Sequence, residues 1–445
     1  MRYFLIAGEA SGDLHAAHLI TELRRRDPAA SFTGLGGDRM REAGCEILIH
    51  CREMAYVGVV AVLQNLSKIR TNMRTAKAAL LSQKPDVLVL IDYPSFNLKI
   101  AAFCRKHLPN TKIYYYIPPK VWAWKTWRVH RIARLCDEVL GIFPFEPAFY
   151  ARYGYHCRYV GNPTAEEITQ WETHHESIPR DQTIAILPGS RKGEISKCLP
   201  TMLAAANAVV QRIAAEQGEH YEIVVATAPG VEDSFYAPYL RDTHIRSTRD
   251  TYRLVSHAQA AIVNSGTATL ETALLGCPQV AVYHIACSKH LMWLKPIVFS
   301  IPHFTLVNLI AEREVIRELV GGFFTQTNIE QELTRLLTDP AYRSSMQTAY
   351  QDIAHRLGTT PAAENAAQLI FQEHRPTRTL PSFTPSLPHL SLPLNYTIIK
   401  ISPAATLSRV FRGSHAGLPR VDSKIKPTQK CTIFKIFPRP DILTR

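Results

Sequence analysis

Apolar runs of four to six residues recur along the chain at 3–7, 86–91, 113–117, 138–142, 183–187, 222–226, 260–263 and 279–283. Runs of this length, closed by Gly, Pro, Asn or Asp, read as buried strands. Between them, residues 14–25, 69–81 and 199–214 repeat apolar positions every three or four residues, the spacing of a helix with one buried face. Parallel strands need a crossover long enough to hold a helix, so this alternation predicts parallel sheets built from βαβ units. The alternation stops at 161–181, GNPTAEEITQWETHHESIPRD, a polar stretch without a strand, and resumes at Thr183. The pattern therefore predicts an α/β fold with two doubly wound domains, 1–165 and 166–346, and a closing helical region at 347–374 with its last helical pattern at 347–371.

Beyond His374 the periodicity is lost. Residues 375–445 are dense in Pro and Ser and carry twelve Lys/Arg against two Asp/Glu. Such a segment lacks the pattern that buries a core and reads as a disordered extension, with a third domain as the alternative. It also accounts for most of the net charge of +13, leaving the body of the chain near +3. A basic nucleic-acid-binding domain is not indicated. The opening MRYFLIAGEASGDLH is too short in apolar residues for a signal peptide, and no run approaches the roughly 20 apolar residues of a spanning helix. Nine cysteines, none in a C-x-x-C pair, suggest reduced thiols in the cytoplasm and no zinc site. The expected location is cytoplasmic, with any membrane contact peripheral.

Four segments share one grammar of strand, small-residue loop and helix. They are Leu5-Ile6-Ala7 into GEASGDLH, Ile184–Leu187 into PGSRKGE, Val225-Ala226 into TAPGVED, and Ile262-Val263 into NSGTATLE. Loops beyond the carboxyl ends of parallel strands expose N–H groups, and helix N-termini add positive potential, so anions bind there. In the last segment Asn264, Ser265, Gly266, Thr267, Ala268 and Thr269 offer backbone and hydroxyl donors, and Glu271 shares a helix face with Thr267. A carboxylate one turn into such a helix suits a ribose diol; its plainer role is a helix cap. Gly189, Ser190 and Arg191 end another strand, where a guanidinium could neutralise a diphosphate or remain a solvated loop charge.

Asp92 follows the run 86–91 in IDYPSFN and is either a general base at a strand end or a turn residue before Pro94. Residues 114–128 mix aromatic rings with cations, as a base-stacking surface or a packed interdomain or acceptor-site wall. Residues 54–66 and 291–301 are apolar without strand neighbours; the first, followed by Lys68, Arg70 and Arg74, reads as a membrane-surface segment or as core. There is no H-E-x-x-H, G-x-x-x-x-G-K-[ST] or G-x-S-x-G, and Gly34-Leu35-Gly36-Gly37 is too short for a dinucleotide fingerprint.

Taken together, GEASGDLH (8–15), GLGG (34–37), IDYPSFN (91–97), VWAWK (121–125), FPFE (143–146), LPGSR (187–191), NSGTATLE (264–271) and VNLIAERE (307–314) resemble the lipid A disaccharide synthase family, in its order and over nearly all of 1–374. The resemblance implies two Rossmann-like domains facing a cleft (GT-B type). It also implies an inverting glycosyltransferase joining UDP-2,3-diacylglucosamine to 2,3-diacylglucosamine 1-phosphate. By the same resemblance Asp92 would deprotonate the acceptor 6-hydroxyl, and Arg191 with the 264–271 loop would hold UDP. Asn308 would face the cleft, and Ser11, Gly12 and His15 would approach the acceptor. No metal or other cofactor is implied; the inner-membrane surface and a homodimer with exchanged C-terminal elements are. The chain departs from the family pattern at Ala61, where a glutamate is usual, and at Asn162, where Gly-His is common after the first domain. A UDP-sugar 2-epimerase would share the nucleotide loops without an acylated acceptor. A non-catalytic nucleotide-binding membrane-recruitment protein would not need Asp92.

Overall fold

The structure is a computed structural model and describes residues 1–54, 65–123, 125–176, 179–241, 245–284 and 303–373. The segments 55–64 and 285–302, with Ala61 and the second apolar stretch, and the whole extension 375–445 lie outside the described residues.

The first sheet has seven parallel strands: β1 (Arg2–Ala7), β2 (Ser31–Gly36), β3 (Glu46–His50), β4 (Val87–Ile91), β5 (Lys112–Tyr116), β6 (Glu138–Gly141) and β7 (Arg158–Tyr159), in the order β3-β2-β1-β4-β5-β6-β7. Successive strand residues point to opposite faces. Phe4, Ile6, Leu88, Leu90, Ile113 and Tyr115 therefore pack on α3 (Leu66–Gln83), α4 (Pro94–His107) and α5 (Arg128–Leu135). Tyr3, Leu5, Val87, Val89, Tyr114 and Tyr116 pack on the other side, against Leu19, Ile20 and Leu23 of α1 (Ala10–Arg26).

The second sheet has six parallel strands: β8 (Asp181–Leu187), β9 (Glu222–Ala226), β10 (Arg246–Thr248), β11 (Ala258–Asn264), β12 (Gln279–Tyr283) and β13 (Glu318–Val320), in the order β10-β9-β8-β11-β12-β13. In both sheets the order reverses beside the first strand, at β1/β4 and β8/β11. That is the switch point where an open α/β sheet leaves a crevice for ligand. The 161–181 stretch read as polar and strandless holds α7 (Pro163–His174). Asn162, the departure from the family pattern, caps it by accepting from Ala165 N at 3.1 Å while donating to Ile142 O at 2.9 Å.

The strands missing from the sequence reading have a physical explanation. β3, β7, β10 and β13 each pair on one side only, and β10 is the polar tripeptide RST. β2 was hidden in the GLGG cluster, whose glycines serve packing. A Cβ at Gly34 would sit 2.1 Å from Leu5 O, and one at Gly37 2.5 Å from Asp13 Oδ2. Asp13, from GEASGDLH, accepts from the N–H groups of Gly37, Arg39 and Met40 at 2.6, 3.1 and 3.1 Å, starting the short α2 (Asp38–Glu42). Two separate motifs thus form one structural unit.

The single helical pattern expected over 347–371 is two helices, α14 (Pro340–Leu357) and α15 (Ala362–Gln372), because Gly358 at φ 67° and Pro361 end the first. α15 returns to the first domain: Ala366, Ala367 and Ile370 pack with Leu19 and Leu23, and Glu364 bridges Arg25 and Arg26 at 2.8 and 3.1 Å. The helix α8 (Lys192–Gln217) has the length and hydropathy to span a bilayer, which corrects the reading that no stretch approaches this. Its Ile195, Leu199, Met202, Ala206, Val209 and Ile213 are buried in the second domain's core, the place of an ordinary core helix.

Candidate active site

All four strand–loop–helix segments end in one cleft of about 960 Å³ between the two sheets. The first domain lines it with Glu9, Ala10 and Ser11, with Asp92 and with Lys120. The second lines it with 188–191, 226–229, 249–252 and 264–268, and with Glu271 and Trp171. The N-termini of α1, α8 and α11 (Thr267–Leu274) all open into it, so their unpaired N–H groups favour an anion there.

Gly189 makes the approach of two of these loops possible. It sits at φ 118°, and a Cβ there would lie 2.7 Å from Asn264 Nδ2 and 2.9 Å from Glu194 Oε2. Glu194 accepts from Ser190 N at 3.3 Å and pairs with Arg191 at 3.0 Å. The guanidinium is 56% exposed, so an incoming diphosphate can compete for it. Ser265 N donates to Val282 O at 2.7 Å, fixing the start of the 265–268 turn to the sheet. Gly189, Ser190, Arg191, Asn264, Ser265, Gly266, Thr267, Ala268 and Glu271 are brought together as the sequence suggested.

Thr269 is not among them. It is fully buried, donates to Gly266 O at 2.8 Å, and its carbonyl accepts from Gln279 Nε2 at 2.9 Å, so it supports the turn from beneath. Asn308 does not face the cleft either. Fully buried on α12 (Leu306–Ala311), it accepts from Val315 N and Ile316 N at 2.8 and 3.0 Å and donates to Ile316 O and Glu318 at 2.9 and 3.0 Å. Its amide staples the following loop. Of Ser11, Gly12 and His15, only Ser11 reaches the cleft. Gly12 packs α1 on the strand ends, 3.5 Å from Ala7 and Ile91 where its Cβ would be. His15 is one turn further into α1, where burial, and then His18, push its pKa down to about 4 and Nδ1 has no partner among the described residues.

On the first domain's side, Asp92 and Tyr93 have φ 41° and 45° and Ile117 has φ 58°. Left-handed backbone at non-glycine residues costs about 1–3 kcal/mol each and persists only where surroundings impose it. Asp92 is solvent-accessible at the cleft floor yet flanked by protein on its other sides. Its proton affinity is raised, first by that partial desolvation and then by Glu9, while Lys120 opposes the rise. Water in the open cleft screens the charge on its exposed side. Lys120 and Glu9 were not singled out in the sequence; they meet Asp92 only through the parallel pairing of β1, β4 and β5.

Behind Lys120, the carboxylate of Glu146 is buried and accepts from Ile142 N, Phe143 N and Trp122 Nε1 at 2.8, 3.0 and 3.2 Å. Trp122 packs edge-on to Phe143 and Phe145, whose rings stack 5.6 Å apart, and Trp122 and Phe143 join the second domain's core. The aromatic stretch is therefore an interdomain wall. Tyr114, Tyr115 and Tyr116 belong to the first domain's interior.

In the second domain Glu271 is pushed up to about 7, first by burial and then by Glu167 of α7. Trp171 of the same helix meets Tyr252 edge-on at 6.0 Å at the cleft wall. The lone Trp in the polar 161–181 stretch was the available sign that this segment touches the site. If Glu271 accepts from a ribose diol it must be ionised, so nucleotide affinity should strengthen as pH rises through 7. Below that value it should weaken by up to about tenfold per pH unit. Calorimetric titration of UDP between pH 6 and 8 checks this, and Glu271→Gln should bind more weakly with a flat profile.

Two parallel-sheet Rossmann-like domains with strand-end loops meeting in a shared cleft define the class of fold, GT-B. The lipid-A-disaccharide synthetase family model matches residues 3–370, and the chain belongs to that family. It is 36% identical over 380 residues to the lipid-A-disaccharide synthase of Geobacter sulfurreducens, covering 83% of this chain and 97% of that one. It is also 36% identical over 363 residues to that of Nitrosococcus oceani, covering 80% and 92%. Among solved structures, a putative UDP-N-acetylglucosamine 2-epimerase from Listeria monocytogenes matches with TM-score 0.56 at 12% identity over 84% of this chain and 97% of that one. The kitacinnamycin glycosyltransferase matches with TM-score 0.56 at 13% identity over 84% and 98%. These two likenesses are of fold.

Proposed function

We propose that the chain transfers 2,3-diacylglucosamine from UDP to the 6-hydroxyl of 2,3-diacylglucosamine 1-phosphate, forming the β-1,6-linked disaccharide 1-phosphate. The observation that carries this reading is the placement of Asp92 and the Arg191–Asn264 loops on opposite walls of one cleft in a member of this family. Asp92 takes the proton of the acceptor hydroxyl as its oxygen attacks the anomeric carbon from the face opposite UDP. The bond from that carbon to the diphosphate oxygen breaks, and configuration inverts. Charge on the departing diphosphate meets Arg191 and the N–H groups at the starts of α8 and α11, while Glu271 accepts from the ribose hydroxyls. These groups take the electrostatic role of a metal, and the reading requires no cofactor.

The acylated substrates place the reaction at the cytoplasmic face of the inner membrane. In support, α3, α4 and α5 cover one face of the first sheet and carry ten Lys/Arg and no Asp/Glu. Lys68, Arg70, Arg74, Lys99, Lys106, Arg131 and Arg134 are exposed on them, a surface suited to anionic lipid. A homodimer with exchanged C-terminal elements is part of the same reading; α15 is the C-terminal element that crosses back to the first domain. The test is incubation with labelled UDP-diacylglucosamine, with and without the acylated acceptor and with EDTA, followed by mass analysis. Disaccharide 1-phosphate forming only with acceptor, at a rate EDTA leaves unchanged, is expected. Turnover of unacylated UDP-N-acetylglucosamine without acceptor would point instead to an epimerase.

A further inference from the structure

Asp92 is held from both sides by groups that touch neither cleft nor substrate. Its N–H donates to Ile117 O at 3.1 Å. Its carbonyl accepts from Tyr115 Oη at 2.6 Å and from Asn97 Nδ2 at 2.8 Å, and the same amide donates to Ile91 O at 3.2 Å. Asn97 and Tyr115 are fully buried. The Asn97 amide nitrogen supplies two hydrogens, one for each of two successive carbonyls; a carboxylate would supply none. On the other flank, the Tyr93 ring covers Gly8, where a Cβ would fall 2.3 Å from Tyr93 Cγ, and its hydroxyl donates to Met54 O at 2.8 Å.

We propose that Asn97 and Tyr115 are positioning residues for the reaction, clamping the Asp92 carbonyl so that its carboxylate is aimed at the acceptor hydroxyl. The inference rests on the assignment of Asp92 as base. Asp92 at φ 41° is in a conformation an aspartate leaves unless its neighbours over-determine it. Relaxation of φ swings the Cβ direction and takes the carboxylate off its line. Base catalysis needs the acceptor oxygen within hydrogen-bond reach, so small displacements cost rate while donor binding, on the opposite wall, is untouched.

The experiment measures single-turnover transfer and UDP affinity for Tyr115→Phe, Asn97→Ala, Asp92→Asn and the double variant Tyr115→Phe/Asp92→Asn. A labelled donor is used so that slow residual rates are read. Tyr115→Phe changes one hydroxyl and keeps the ring, so it remains informative if Asn97→Ala does not fold. The expected result is a fall in kcat of about tenfold for Tyr115→Phe and about 100-fold for Asn97→Ala, with donor KM and UDP Kd within about twofold of the parent. In the Asp92→Asn background, Tyr115→Phe should have no further effect. A folded Tyr115→Phe with parental kcat overturns the clamp while leaving the base assignment intact. So does the same fold-loss in both backgrounds. Parental activity in Asp92→Asn overturns the base assignment itself, and the clamp with it.

Discussion

Asp92→Asn should abolish most transfer while leaving UDP association at its parental strength. The substitution keeps size and hydrogen-bonding reach but removes the ability to accept a proton, so the expected loss in kcat is about 100- to 10,000-fold. Its companion is Arg191→Ala, which acts on the other wall of the cleft and should weaken UDP binding and transfer together. Steady-state kinetics with calorimetric UDP titration separates the two. Retention of transfer by Asp92→Asn with loss in Arg191→Ala would leave the donor site standing and require another base. The structure offers Glu9 for that comparison, since it lines the same wall and is one of the charges that raise Asp92.

Glu146→Ala should produce the largest stability loss of any single change near the site. It strands three donors, Ile142 N, Phe143 N and Trp122 Nε1, in a region without access to water. Unpaired buried donors cost about 1–3 kcal/mol each, and removal of the group at the centre of a buried network costs about 3–5 kcal/mol in all, readable by urea denaturation. Glu146→Gln keeps an acceptor for the two backbone donors and should lose less. Burial pushes the Glu146 carboxyl up to about 7. The folded state therefore binds this proton more tightly than the unfolded chain does. The group's contribution is greatest below the ordinary carboxylate range and declines as pH rises toward 7. The stability slope across that window should be shallower in Glu146→Gln. Because Trp122 anchors the turn that carries Lys120, the acceptor KM should also rise while UDP affinity holds. A Glu146→Ala variant with parental midpoint would mean that the wall is held by its aromatic packing alone.

Much of this architecture was legible from the residues. Strands buried on both faces, such as VLVLI and KIYYY, are continuous apolar runs wherever they occur, because parallel sheets are covered by helices above and below. β9 and β12 have the residue limits the pattern proposed, 222–226 and 279–283. Edge strands and β2 escaped because a half-paired or glycine-lined strand need not be apolar on both sides. The four strand–loop–helix segments were legible for a related reason, since a tight turn at a strand end demands small residues whether or not a ligand follows.

Side-chain direction was harder to read. Thr267 and Thr269 stand two residues apart in one motif, yet two residues on a helix face different ways, so one opens on the cleft and the other beneath the turn. Asn308 has the composition of a ligand residue and spends its side-chain hydrogen bonds on the loop that follows it and on Glu318 of β13. Asp92 could be a turn residue by sequence, and it is also that: the strained turn is what aims it.

Periodicity and turn chemistry act within a window of a few residues, and so the amino-acid order alone was enough for two parallel-sheet domains, the cleft loops and the chemical type of each loop. Which groups meet across the cleft was settled by the packing of sheets and helices. Lys120 beside Asp92, Glu167 beside Glu271, and α15 beside α1 join residues from separate elements, and no local pattern encodes a distance of that kind.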